Sequence, residues 1–153
     1  MIVRGAVFQL DTTIALEDVK EVRKLVERIH LRLGSSRDDA ARVAMAAHEL
    51  LENAIKFSID GTSHLRIEVS SDAIVTIITR NRAAADHRAD LAAIAAELAA
   101  ATDPMMFYVG LMAKAPAKQG GLGIGRIAAE GDMAIGFTFT DDVVEVHASS
   151  AIA

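Results

Sequence analysis

The spacing of apolar residues along this chain changes in blocks, and the order of those blocks constrains the fold more than any other feature. The stretch 3–13, VRGAVFQLDTT, predicts a strand. Two helical segments follow, then two strands joined by a short turn, then further helices and a last pair of strands. Helices and strands in blocks favour an antiparallel sheet over a doubly wound parallel one. We therefore expect an α/β (α+β) two-layer sandwich, with a mainly antiparallel mixed sheet and helices on one face.

The clearest helix lies within residues 35–58, SSRDDAARVAMAAHELLENAIKFS. Ser36 is predicted to cap it, with Asp39 as the reciprocal partner three residues on. One apolar stripe recurs at helical spacing and consists of Val43, Ala47, Leu50, Leu51 and Ala54. The preceding helix is expected from about Leu16 to Leu33.

Length and composition exclude several classes of function. The 153 residues suit one domain over 1–153, and the absence of cysteine removes disulfides and thiolate metal sites. A net charge of −5, with both signs mixed along the chain, disfavours nucleic acid as the partner. The apolar runs are too short or too interrupted to span a membrane, and no signal peptide is recognisable. We expect a soluble cytoplasmic protein of a bacterium-like cell.

Three polar residues of the second helix, Glu49, Asn53 and Lys56, lie opposite its apolar stripe. Glu49 and Asn53 are four residues apart, so their side chains converge. A carboxylate can act as a general base, an amide oxygen suits Mg²⁺, and a lysine can meet a phosphate. The alternative is an ordinary solvated face, because any surface helix shows polar residues opposite its apolar stripe.

A second polar feature is GGLGIG, Gly120–Gly125, which places four glycines just before a predicted helix, GIGRIAAE. Glycine backbone can approach a phosphate closely, and a helix N-terminus offers free N–H groups. The stretch lacks the GxxxxGK[ST] pattern and does not follow a strand, so it is neither a Walker A loop nor a dinucleotide fingerprint. A glycine-rich connector without a ligand is the alternative.

Taken together, the two stretches resemble a known family. HELLENAIKFS, His48 to Ser58, looks like the N box of the histidine-kinase-like (GHKL) ATPases, and GGLGIGRI looks like their G2 box. The order and separation of the two boxes also fit, and the likeness covers the chain from about Leu16 onward. It is best for the small single-domain branch of anti-sigma factors and serine-protein kinases.

The resemblance implies a Bergerat ATP-binding fold, with ATP held between helices and a mobile lid. It would make Glu49 the catalytic base, Asn53 the Mg²⁺ ligand and Lys56 a phosphate neighbour. The residues that would cradle the phosphates are Gly120, Gly121, Gly123 and Gly125.

The function that the resemblance implies is that of an ATP- and Mg²⁺-dependent regulatory protein. It would phosphorylate or sequester a protein partner, such as a sigma factor or an anti-sigma antagonist, and could form a homodimer. If it is an enzyme, it is a protein serine/threonine kinase. Neither nucleic acid nor a membrane is expected as a partner.

The sequence departs from the family at the G1 box, where an Asp followed by Gly-x-Gly binds the adenine. The corresponding stretch reads ITRNRAAADHRAD, with Asn81 near the expected Asp and no glycine after it. An amide can still bond the adenine amino group. Asp86 and Asp90 could substitute, although a helix explains them as surface charges. This departure favours the alternative function, a fold that has lost nucleotide binding and serves as a protein–protein adaptor or dimerisation module.

Three further features have competing interpretations. His48 is a phosphorylation site or ligand, or else a half-buried structural histidine, which its place beside the core stripe favours. Met105–Met112, in the region of the lid, is a core helix or an exposed patch for a partner or a second subunit. Arg126 is expected in the first turn of the last helix, where a cation is unfavourable to the helix dipole. A phosphate, an acidic partner or simple solvation would explain it.

Overall fold

The computed structural model describes residues 6–113 and 121–151. The elements in chain order are β1 (Ala6–Ala15), a 3₁₀ turn (Leu16–Asp18), α1 (Val19–Arg32), α2 (Arg37–Lys56), β2 (Thr62–Ser70), β3 (Ile74–Arg82), α3 (Ala85–Ala100), α4 (Pro104–Ala113), α5 (Gly121–Ala129), β4 (Ala134–Thr140) and β5 (Val143–Ala151). The predicted order of helix and strand blocks is confirmed.

The strands form one five-stranded sheet in the order β1-β2-β3-β5-β4, and every neighbouring pair is antiparallel. Side chains alternate between the two faces of each strand. In β2 the buried set is Ser63, Leu65, Ile67 and Val69, which face the helices. The opposite face of the sheet has no helix on it among the described elements. The predicted fold class, helices on one face of a mainly antiparallel sheet, is therefore confirmed.

Helix α2 lies at the centre of the helical layer and contacts α1, α5, β2 and β3. Ser36 caps it as predicted, because its Oγ accepts a hydrogen bond from the Asp39 backbone N–H at 3.1 Å. Its buried residues include the whole predicted stripe and several further alanines. Small side chains let the neighbouring helices and the sheet approach closely, which is how a helix this rich in alanine can fill a core.

Arg42 joins α2 to the end of the chain. Its Nη1 donates to the Gly131 carbonyl at 2.6 Å and to Ser150 Oγ at 2.8 Å, while Nη2 donates to Asp39 Oδ1 at 3.0 Å. The Arg42 side chain is largely shielded from solvent. One cation therefore holds together α2, the loop after α5 and the last strand.

His30 in α1 is completely buried in the apolar core. Its Nδ1 lies 2.8 Å from the Val26 carbonyl, while Nε2 has no hydrogen-bond partner within the residues described. Burial disfavours the charged ring and lowers the pKa of His30 below its ordinary 6.5. The folded protein therefore holds a neutral histidine in its core.

We expect stability to fall as the pH drops below 6.5. In that range the unfolded chain binds a proton at His30 that the folded chain resists. The free energy of unfolding therefore falls by up to about 1.4 kcal/mol for each pH unit until the pH reaches the lowered pKa of the folded state. Above pH 6.5 this contribution is constant. Urea unfolding at pH 7.5 and 5.5 would measure the effect, and His30→Leu should flatten the pH slope. An unchanged slope in that variant would contradict the assignment to His30.

Candidate functional site

The polar side of α2 meets α5. Arg126 Nη1 donates to Glu49 Oε1 at 2.9 Å, and a Cβ added at Gly123 would lie 3.1 Å from Glu49 Oε2. One carboxylate thus contacts α5 through both of its oxygens. The carboxylate of the HELLENAIKFS stretch therefore lies directly against the late glycine stretch, which is helical here.

Arg126 bridges two carboxylates, since its Nε also donates to Glu130 Oε2 at 3.0 Å. The hydrogen bond to Glu130, supported by the one to Glu49, raises the pKa of the Arg126 guanidinium above its ordinary value. The prediction that Arg126 lies in the first turn is wrong. Because α5 begins at Gly121, Arg126 lies in its last turn, where a cation favours the helix dipole. Of the explanations offered by the sequence, an acidic partner is the one observed.

The prediction of a glycine-rich loop is also wrong for the part that the structure describes, because Gly121, Gly123 and Gly125 are all inside α5. Gly120 lies outside the described residues. Two of the three glycines are packing sites: the space at Gly121 is closed by Ile94 and Leu111, and that at Gly125 by Tyr108 and Leu111. The close approach of α4 compensates for placing glycine in a helix. Gly123 alone faces the polar side of α2.

Alanine substitutions should separate these two kinds of glycine. At Gly125 a Cβ would lie 2.9 Å from Tyr108 Cδ1, so Gly125→Ala should destabilise the fold by about 1–3 kcal/mol through overpacking. Gly123→Ala meets only the movable Glu49 carboxylate, so we expect a change between zero and a gain of about 1 kcal/mol from the better helix former. Urea unfolding of both variants measures this difference. Equal losses would show that Gly123 is also a packing site.

The other predicted residues of α2 lie on the same side of the helix. Asn53, one turn after Glu49, is half-buried, and Lys56 is exposed with Nζ 5.8 Å from the Phe57 ring centroid. Neither side chain forms a hydrogen bond or ion pair with another of the described residues. Among those residues, no group of three or more histidine and acidic side chains is placed to hold a metal ion. The roles of Asn53 as a Mg²⁺ ligand and of Lys56 as a phosphate neighbour stay predictions.

Asn81 lies at the end of β3, where its Nδ2 donates to the Arg82 carbonyl at 3.4 Å. It lines a cavity of about 270 Å³ together with Thr13, His64 and Arg80, which are cross-strand neighbours on the face of the sheet without helices. Within residues 6–113 and 121–151, no hydrogen bond joins Asn81 to Glu49 or Asn53. The structure does not bring these predicted ligands into one set, and the adenine role of Asn81 stays a prediction.

The junction after β3 is closed by side chains. Ser58, just after α2, forms a β-bridge with Ala83, and α3 begins only two residues later. The His87 ring is buried and stacks on Phe57, with ring centroids 4.3 Å apart. The resemblance places the adenine near this junction. Nothing in the local sequence around Phe57 or His87 indicates that two rings thirty residues apart will meet.

Helix α4 combines both interpretations of Met105–Met112. Phe107 and Leu111 are buried in the core, whereas the exposed side chains are Met105, Met106, Val109 and Met112. A cavity of about 510 Å³ lies between the end of α3 and α4, lined by Met106, Phe107 and Gly110 among others. Although α4 is apolar, its ten residues are too few to cross a bilayer. No other described helix is both long and apolar enough to do so.

His48 is half-buried, as its position beside the core stripe predicted. Its Nε2 lies 2.9 Å from Glu52 Oε2, one helical turn away. This arrangement is that of a structural histidine paired on its own helix.

Comparison with known proteins shows what this fold is similar to. No model of a known protein family matches the chain, and no curated protein sequence does. The fold is similar to a chain in the crystal structure of the SiaB–SiaC complex from Pseudomonas aeruginosa, with a TM-score of 0.68 and 12% sequence identity, over 95% of this chain and 89% of the other. At this identity the likeness shows the fold alone.

Proposed function

We propose that this protein is an ATP- and Mg²⁺-binding regulatory protein of the anti-sigma factor/serine-protein kinase type, which sequesters a partner protein and phosphorylates it. The observation that carries the proposal is the meeting of Glu49 with α5 at Gly123 and Arg126. Residues that resemble the N box and the G2 box, separated by about seventy positions, come together there. The similar solved fold comes from a complex of two proteins, which supports a role in binding a protein.

The residues on the phosphate side fit the proposed ligand. Asn53 offers an amide oxygen, a ligand type suited to Mg²⁺, one turn from Glu49. Gly123 places backbone without a side chain beside Glu49, where a Cβ would lie 3.1 Å from Oε2, and the first turn of α5 as described, from Gly121, offers backbone N–H groups. Bound Mg-ATP would supply the phosphoryl group for transfer to a serine or threonine hydroxyl of the partner.

Glu49 would take the proton from that hydroxyl. Its Oε1 receives the hydrogen bond from Arg126, whereas Oε2 points toward Gly123 and has no hydrogen bond from a described residue. The ion pair engages one oxygen of the carboxylate and leaves the other for the proton. A positioned general base of this kind typically contributes a factor of about 10²–10⁴ in rate.

Thermal melting with Mg-ATP tests the nucleotide site. A concentration about ten times Kd would stabilise the folded protein by about 1.4 kcal/mol, which raises Tm by about 3–6 °C for a chain of this size. Asn53→Ala should give the same shift with Mg²⁺ as with EDTA, while the wild type should lose part of its shift in EDTA. Gln9→Ala, an exposed amide on β1, is the matched control and should behave as the wild type.

A second candidate is the adaptor function, in which the fold binds a partner without nucleotide. It is favoured by the junction after β3, where the Phe57–His87 stack and the immediate start of α3 leave no glycine turn for a purine. The exposed methionines of α4 suit it too, since flexible thioether side chains adapt to varied surfaces. If millimolar Mg-ATP leaves Tm unchanged, the adaptor replaces the kinase as the conclusion.

A further inference from the structure

The two edges of the sheet are protected to different degrees. β1 is interrupted by a register shift between Ala6 and Phe8 and includes Asp11, which pairs with His64 on β2. Bulges and charges are the usual means by which proteins block pairing at a sheet edge. β4 has neither: its seven residues, AIGFTFT, include no charge and no proline, and its ladder with β5 is regular.

β4 also has the composition of a strand that pairs well. Phe137 and Phe139 stack with centroids 6.4 Å apart, and Phe139 is exposed. On the sheet face without helices, Thr138 and Thr140 border a hollow of about 440 Å³ with Arg80 and Glu145. The side chains of an added strand would point alternately to these two faces. One face would offer them aromatic rings and the other a polar hollow, so the two faces would favour different side chains.

Negative charges flank β4 at both ends, and they indicate which kind of segment would pair with it. Asp132 precedes the strand and Asp141 follows it; both are exposed, and neither side chain forms a hydrogen bond or ion pair with another described residue. From Asp132 to Asp141 an extended chain spans about 30 Å. The edge is thus an uncharged strand with an exposed carboxylate at each end.

We propose that β4 binds an extended segment of a partner protein by strand addition, and that this segment is uncharged in its middle and basic at both ends. Main-chain hydrogen bonds along the edge would supply affinity, and Asp132 and Asp141 would select the flanking charges. A second copy of this chain fits less well. Antiparallel self-pairing about Phe137, the middle residue of β4, brings the Asp132 end of one copy to the Asp141 end of the other, so the two exposed carboxylates meet each other and not a basic residue.

This inference goes beyond the proposed function, because it applies to the kinase and to the adaptor alike. The test uses two ten-residue peptides with alternating threonine and valine, one with lysine at both ends and one with glutamate. Amide hydrogen exchange locates the peptide, and fluorescence anisotropy measures Kd. We expect new protection confined to β4, and about fivefold tighter binding of the lysine peptide in low salt.

A double variant, Asp132→Asn with Asp141→Asn, should remove the preference for lysine while keeping binding, since asparagine tolerates the positive φ of these positions. Asp72→Asn, at the exposed turn between β2 and β3, is the matched control and should keep the preference. Protection at β1 in place of β4, or none at either edge with millimolar peptide, would overturn the proposal. Self-association that protects β4 without peptide would replace the partner segment by a second copy.

Discussion

Arg42→Ala is expected to lower the free energy of unfolding by about 2–4 kcal/mol, the largest loss of stability that we predict. The Arg42 guanidinium donates to the Gly131 carbonyl, to Ser150 and to Asp39 from a largely shielded position. Removing it takes a hydrogen-bond donor away from acceptors in three separate parts of the chain. Urea unfolding followed by circular dichroism measures the difference.

Arg42→Lys serves as a second variant, because a lysine keeps the charge but cannot reach the three acceptors as a planar fork. It should recover less than half of the loss. Arg23→Ala, an exposed arginine on α1, controls for the removal of an arginine and should change stability by less than about 0.5 kcal/mol. Full recovery by lysine would show that charge alone, and not the shared hydrogen bonds, holds the chain end in place.

Glu49→Gln is expected to lower the rate of phosphoryl transfer by a factor of about 10²–10⁴ while Mg-ATP binding is kept. This prediction depends on the proposed function. Glutamine has the same shape and can still accept the hydrogen bond from Arg126, but its amide cannot take a proton from the attacking hydroxyl. Phosphate release from Mg-ATP, with water as the acceptor, measures the rate without the partner, and thermal melting measures binding.

Two neighbouring glutamates provide the controls for Glu49. Glu52→Gln, on the next turn of α2 and paired with His48, removes a carboxylate from the same helix without touching α5. Glu130→Gln removes the other partner of Arg126 and leaves Glu49 in place. Both should keep the rate within a few-fold of the wild type. A Glu49→Gln protein with the wild-type rate and intact binding would remove Glu49 from the role of base.

Much of the fold could be predicted because local periodicity decides it. The cap at Ser36, the apolar stripe of α2 and the two hairpins, β2–β3 and β4–β5, are all properties of contiguous sequence, and each is observed. The antiparallel sheet follows from the block order of the elements. Glu49 and the late glycines were assigned to one site from the resemblance alone, and their direct contact through α5 is not a property of local spacing.

What the sequence by itself determined is therefore the set of elements, their order and the polar side of α2. Only the tertiary structure decided how those surfaces are used. Gly121 and Gly125 are packing sites because α4 lies against them. Arg126 on α5 donates a hydrogen bond to Glu49 on α2. The Phe57–His87 stack likewise depends on a junction that brings distant residues together. The physical reason is that propensity and capping act within a few residues, whereas each of these contacts joins residues that only the folded core makes neighbours.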